Sequence, residues 1–243
     1  MSIPRLHLDQ PLGAEALVEA AAGQAHHLGT VLRRGPGDAL RLFNARDGEW
    51  SGEIATLRKD RATFRVQTLL RPPAPEPALT LLVAVLKREP MDWLVEKATE
   101  LGVSRLLPVI TRRTITERTN IDRLRQIARA AAEQCERLTI PGIAEPQPLH
   151  LLLDGWDGTP LLLAAERGAA PTLQELAVRI ATMPALLVGP EGGFDRAELD
   201  DALRRPFVGA VALGPRILRA ETAAIAGLAA LQAHFGDWAR PRV

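Results

Sequence analysis

The sequence predicts an α/β protein in two parts, a small β-barrel-like domain over residues 1–73 and a larger domain with a mostly parallel sheet over residues 74–243. Three observations carry this. Arg71-Pro72-Pro73-Ala74-Pro75-Glu76-Pro77 places four prolines in six residues, which removes amide donors and favours an extended connector. Before it lie short segments of partial apolar alternation bounded by turn residues, the pattern of small β domains. After it, apolar strands alternate with amphipathic helices, the rhythm of βαβ units.

In chain order, a short helix is expected near 24–33, then strands at 38–43, 49–57 and 62–70. Arg46-Asp47-Gly48 and Arg58-Lys59-Asp60 separate these strands as turns. In the second part the strands are 79–86, 105–110, 160–165, 185–188 and 208–213. The helices are 91–101, 120–137, 172–180, 195–203 and 220–234, each with apolar residues at helical spacing.

Composition bounds the function. The apolar runs fall short of the roughly 18 residues that a membrane span needs, and Met1-Ser2-Ile3-Pro4-Arg5 does not read as a secretory signal. A cytoplasmic protein without a membrane partner is expected, and the single Cys135 suits a reducing compartment. The five histidines are scattered and no ligand spacing suggests a metal. The net charge of +1 conceals a gradient: +1 over residues 1–76, +3 over 77–140 and −3 over 141–243. Residues 105–129 hold seven arginines against Glu117 and Asp122, and 58–71 hold five basic residues against Asp60. Such runs form either solvated faces or surfaces for phosphate.

Two turns stand out. Leu186-Leu187-Val188-Gly189-Pro190-Glu191-Gly192-Gly193-Phe194-Asp195 is a buried strand entering a rigid glycine turn and then a helix that Asp195 can cap. The carboxyl end of such a strand is where open α/β sheets bind ligands, although a glycine turn by itself is also simply a tight connection. The spacing is neither the dinucleotide nor the P-loop fingerprint, and Glu191 disfavours a phosphate, so a neutral or cationic ligand fits better. The second turn, Leu213-Gly214-Pro215-Arg216-Ile217-Leu218-Arg219-Ala220-Glu221-Thr222-Ala223, puts Arg219 at a helix N-terminus. A cation there opposes the helix dipole unless it serves an anion or pairs with an acid such as Glu221 or Glu191. Cys135 is expected on a helix, more as a packing residue than as a nucleophile.

With both turns read, the chain closely resembles the bacterial ribosomal small-subunit methyltransferase E family. Met91-Asp92-Trp93-Leu94-Val95-Glu96-Lys97-Ala98-Thr99-Glu100-Leu101-Gly102-Val103, Glu133-Gln134-Cys135-Glu136-Arg137, and Val31-Leu32-Arg33 followed by Gly37-Asp38 extend the likeness over most of the chain. The resemblance implies a PUA-like RNA-binding barrel followed by a SPOUT domain with a deep trefoil knot, acting as a homodimer. It further implies S-adenosyl-L-methionine as cofactor, held by Leu163, Glu166, Leu187, Gly189, Gly193, Leu213, Gly214, Ile217, Leu218, Arg219, Thr222 and Ala223. The implied partner is 16S ribosomal RNA or the small ribosomal subunit, methylated at N3 of a uridine. Arg33, Arg34, Arg112, Arg113 and Arg118 are the expected RNA contacts, although the stretch from Thr111 to Asn120 departs from the family's usual Glu-Arg-Ser/Cys-Val segment.

Arg219 and Glu191 are the expected catalytic residues. N3 of uracil attacks only after losing its proton, so a cation near the flanking oxygens favours the reactive form. Arg219 would stabilise that anion, and Glu191 would orient its loop or pair with a cation. Two other readings remain open, a non-catalytic RNA-binding module and a related methyltransferase acting on another RNA. A dinucleotide-dependent oxidoreductase is disfavoured, because no Gly-x-Gly-x-x-Gly opens a helix.

Overall fold

Alternating apolar residues of the first part fold against one another as a sheet in the computed structural model, which describes residues 3–21, 23–116, 118–165 and 170–239. The chain divides into two compact units, Met1–Pro75 with Ala132–Ile140, and Glu76–Ala131 with Pro141–Val243.

Unit 1 contains β1 (Arg5–His7), β2 (Leu17–Glu19), α1 (Gln24–His26) continuing into a wider π turn over His27–Val31, β3 (Ala39–Asn44), β4 (Gly48–Leu57) and β5 (Ala62–Arg71). The sheet order is β1-β3-β4-β5-β2, with β1 parallel to β3 and the other pairs antiparallel. Leu40 and Leu42, Ile54, and Phe64 and Val66 point into one core, as the two-residue period of a strand requires. The three-residue strands β1 and β2 are additions to the sequence reading. They are too short to show a period and exist through pairing with β3 and β5.

A buried ion cluster ties this unit together. Arg5 Nε meets Glu49 Oε1 at 3.2 Å, with both side chains almost wholly buried. Its Nη1 donates to the Ala132 carbonyl at 2.8 Å and Nη2 to the Arg137 carbonyl at 2.6 Å, while the guanidinium stacks 3.5 Å from the Phe43 ring centre. Residues 132–140, assigned to the second domain by the sequence reading, are thereby held on β1. Burial lowers the Arg5 pKa, opposed by the Glu49 charge.

Unit 2 runs β6 (Leu79–Ala84), α2 (Arg88–Glu100), β7 (Val103–Ile110), α3 (Ile121–Gln134), β8 (Gly142–Ile143), β9 (Gln147–Pro148), α4 (Leu149–Asp154), β10 (Leu161–Ala164), α5 (Leu173–Ala177), β11 (Ala185–Val188), α6 (Arg196–Leu203), β12 (Val208–Val211) and α7 (Ala220–Phe235), with a 3-10 turn at Asp237–Ala239. The last residues of α3 are counted with unit 1. Cys135 falls just beyond the end of α3, not on a helix as expected, and is half-buried.

The sheet is parallel, in the order β12-β10-β11-β6-β7-β8, with β9 also pairing β7. β6 and β11 are buried along their whole length and, apart from Thr80, consist of apolar residues, as expected for strands covered on both faces. β11 is inserted between β10 and β6, and α7 packs against α2 and β11. Gly227 permits that approach, since a Cβ there would lie 2.7 Å from Leu186 Cδ2. Gln232 pins the end of α7 by donating to the Leu101 carbonyl at 2.7 Å. β8, β9 and α4 are not among the elements expected from sequence; they are short and take their place from packing against β7.

Candidate active site

At the carboxyl end of β11 the chain turns through Gly189 and Pro190. The Gly193 N–H donates to the Pro190 carbonyl at 2.9 Å, with Gly193 at φ +67°, a conformation suited to glycine. Asp195 caps α6 by accepting from the Ala197 and Glu198 amides. Gly189 lacks a side chain because Phe194 occupies the space; a Cβ would lie 2.8 Å from the Phe194 ring. The second turn follows β12, with Gly214 at φ +110°, and ends at Arg219, the N-cap of α7.

The two turns face each other across a cleft of about 470 Å³. Ala164, Val188, Gly189, Pro190 and Phe194 line it together with Ile217, Leu218, Ala220 and Ala223. Lys87 and Arg219 supply positive charge and Glu191 and Glu221 negative charge. Among the described residues neither Arg219 nor Glu191 has an ion-pair partner, so both charges are available to a ligand. A smaller adjoining cavity touches Leu213, Gly214, Leu218 and Ala223.

Of the expected cofactor residues, Gly189, Ile217, Leu218, Arg219 and Ala223 line the main cleft, together with Glu191. Leu213 and Gly214 line its neighbour. Leu163 and Leu187 lie elsewhere: their side chains are fully buried in the core between sheet and helices, since strand interiors of a doubly covered sheet face the layers. Gly193 acts one step away, closing the turn. Thr222 is exposed and is not on the cleft wall, whereas Ala220 and Ala223, one helical turn apart, face inward. Glu166 lies outside the described residues. Ala164 lines the cleft, on the strand expected to supply a further wall, whereas Lys87, Pro90, Phe194 and Glu221 were not assigned to the site from sequence. Lys87 had one available signal, its position just after a buried parallel strand.

The arginines separate into different roles. Arg112 donates from Nη1 to Asp195 Oδ1 at 2.9 Å and from its backbone amide to Glu198. Arg113 donates from Nη1 to the Gly192 carbonyl at 3.0 Å. Both hold the first glycine turn and its helix. Burial alone would raise the Asp195 carboxyl, but bonds from the Glu198 amide and Arg112 outweigh it and hold its pKa low. Burial raises Glu198. Arg118 lines a separate cleft. Arg33 and Arg34 follow the π turn of unit 1, with Arg33 at φ +53°.

A parallel sheet whose strand ends carry a ligand-sized cleft framed by two glycine turns belongs, by comparison, to the RNA methyltransferases. The family model for the RNA methyltransferase domain matches residues 73–232, and that for the RNA methyltransferase PUA domain matches 21–67. The ribosomal RNA small subunit methyltransferase E of Rickettsia conorii is 32% identical over 94% of this chain and 95% of its own length. A protein of Legionella pneumophila, solved with bound cofactor SAM, superposes with a TM-score of 0.88 at 30% identity, covering 98% of this chain and 100% of that one. The ribosomal RNA small subunit methyltransferase E of Neisseria gonorrhoeae, bound to S-adenosyl methionine, gives 0.84 at 28% identity with the same coverage. The chain belongs to the ribosomal RNA small subunit methyltransferase E family.

Proposed function

We propose that this chain transfers a methyl group from S-adenosyl-L-methionine to N3 of a uridine in 16S ribosomal RNA. The observation that carries the reading is the 470 Å³ cleft bounded by both glycine-proline turns, within the size range of small-molecule sites. Its charges suit the cofactor, which carries an ammonium, a carboxylate and a sulfonium: two carboxylates and two cations stand on the walls. Gly189 lets a ligand approach the backbone, Ile217 and Leu218 offer apolar lining, and Glu191 and Glu221 favour the cationic groups.

The cofactor supplies an electrophilic methyl on positive sulfur. The protein's task is to present a nitrogen nucleophile. Arg219, unpaired at the cleft rim, favours the deprotonated uracil by drawing charge onto the oxygens beside N3, and the walls align nitrogen with the methyl carbon. The N3 proton would pass to water, and as N3 bonds to the methyl carbon the carbon–sulfur bond would break with its electron pair remaining on sulfur. No covalent nucleophile is required, which leaves Cys135 without a catalytic part.

The finer architecture belongs to the same reading: a PUA-like barrel for RNA in residues 1–73, and a SPOUT domain with a trefoil knot in 74–243. The insertion of β11 between β10 and β6, and the return of α7 onto α2, support the second. The homodimer is the active unit, for which Trp93 and Trp238, both exposed, offer apolar surface. The enzyme works beside ribosomes in the cytoplasm; among the described residues no helix is long and apolar enough to cross a membrane and no side-chain group is placed to hold a metal ion.

The decisive experiment incubates the protein with methyl-labelled cofactor and either free 16S RNA or assembled small subunits, then maps the modified base. Label on uridine N3 is the expected result. Label on another base or position, or none on either substrate, overturns it.

A further inference from the structure

A second cleft of about 480 Å³ lies on unit 2, lined by residues of the β6–α2 junction, the segment before α3, and the start of α3. It shares a wall with the first. Lys87 and Pro90 face the cofactor cleft, whereas Leu86, Arg88 and Asp92 face the second. Helical spacing explains the split: Arg88 and Asp92, four residues apart, lie on one face of α2, so its first turn is a partition between two cavities.

The charges of the second cleft are unbalanced. Arg123 grips Asp92, the one carboxylate among the described lining residues, in a two-oxygen fork, with Nε at 3.0 and 3.1 Å from its oxygens. That pair is neutral. Arg88 and Arg118 remain, both exposed and without an ion-pair partner among the described residues. Thr116, Thr119, Asn120 and Gln126 add neutral hydrogen-bonding groups, though Asn120 Oδ1 already accepts from the Arg123 amide. Two free guanidiniums amid neutral polar groups match a phosphate carrying a sugar and a base better than a lone anion, which needs far less space.

We propose that this cleft binds a nucleotide of the substrate RNA strand flanking the target, with Arg88 and Arg118 on its phosphodiester. The inference rests on the methyltransferase reading above. A helix is about 10 Å wide, so a single strand crossing the first turn of α2 reaches both cavities. Among the described residues the wall has no aromatic ring, so binding depends on charge and hydrogen bonds rather than on stacking, and is therefore sensitive to salt.

The test compares wild type with R88Q/R118Q, using R88K/R118K as the charge-preserving control. Cofactor affinity, by calorimetry, should change less than twofold. The loss in kcat/KM for RNA should be at least tenfold and fall on KM, and the lysine control should recover most of it. The salt slope for binding a short single-stranded RNA should decrease by about 0.7 for one lost phosphate contact. An unlabelled dinucleotide should compete for that binding at concentrations where inorganic phosphate does not; equal competition by phosphate would mean an anion site only and would overturn the proposal. An unchanged KM and salt slope in R88Q/R118Q would also overturn it, while leaving wild-type methylation intact. If wild type methylates no RNA, the function falls first, and the oligonucleotide comparison still judges this cleft.

Discussion

Arg113 donates from its guanidinium to the carbonyl of Gly192 at 3.0 Å, joining the segment after β7 to the turn after β11. Arg112 reinforces the link through Asp195. The basic segment expected to meet RNA is therefore partly committed to shaping the cofactor cleft. Both arginines are exposed, so the link is modest in energy.

Removing that link should loosen the turn without unfolding the protein. Arg113→Ala is expected to weaken cofactor binding about fivefold, equivalent to roughly 1 kcal/mol for one charge-assisted bond near the surface. Calorimetry and thermal melting together check this. A melting temperature that falls while affinity holds would contradict it.

Gly189 and Gly192 should respond differently to the same change. Gly189→Ala forces Phe194 off the cleft wall, because the new methyl would sit 2.8 Å from its ring, and cofactor affinity should fall tenfold or more. At Gly192 the nearest atom to a Cβ is Arg113 Cβ at 3.7 Å, an ordinary contact, so Gly192→Ala should lose less than threefold. Titration of both variants decides the point.

Arg219→Ala separates binding from chemistry. Cofactor affinity should remain within a few-fold of wild type, while methyl transfer slows by about 100-fold or more, the scale for losing a group that stabilises developing charge. Single-turnover assays measure the step directly, and unchanged turnover would remove Arg219 from the mechanism.

Glu49→Gln leaves the buried Arg5 guanidinium without its carboxylate. Unit 1 should lose about 3–5 kcal/mol, as expected when one partner of a buried pair is removed. Urea denaturation reads this, and the change should also free residues 132–140, making them more sensitive to protease.

Asp47 governs part of the acid response. Hydrogen bonds from Arg46 first, then from the Leu12 amide and Asn44, hold its pKa far below the ordinary value. Because the folded pKa is depressed, its stabilisation is complete above the unfolded value near 4 and fades as pH falls below it. Asp47→Asn should therefore be less stable than wild type at pH 7, with the difference shrinking below pH 4. Urea midpoints at pH 7, 4 and 3 test the sign.

Much of the architecture was legible locally. β11 announced itself as an unbroken apolar run, β6 as one interrupted only by Thr80, and α2 by Met91, Leu94, Val95 and Ala98, because burial imposes the period of each element on its residues. Both glycine turns were equally plain, since Gly193 and Gly214 adopt backbone angles that other residues resist. β1 and β2 were not legible, as three residues carry no period and exist only through their partners.

The sequence alone thus determined the strand–helix rhythm, the two turns and the placing of Arg219 at a helix start, all consequences of backbone sterics and near-neighbour periodicity. Tertiary structure decided which side chains meet. It buried Leu163 and Leu187, turned Lys87 and Glu221 into the cleft, bound Arg112 and Arg113 to the turn around Gly192, and attached residues 132–140 to Arg5. Strand order and long-range packing set those contacts, and neither is written in the spacing of residues along one element.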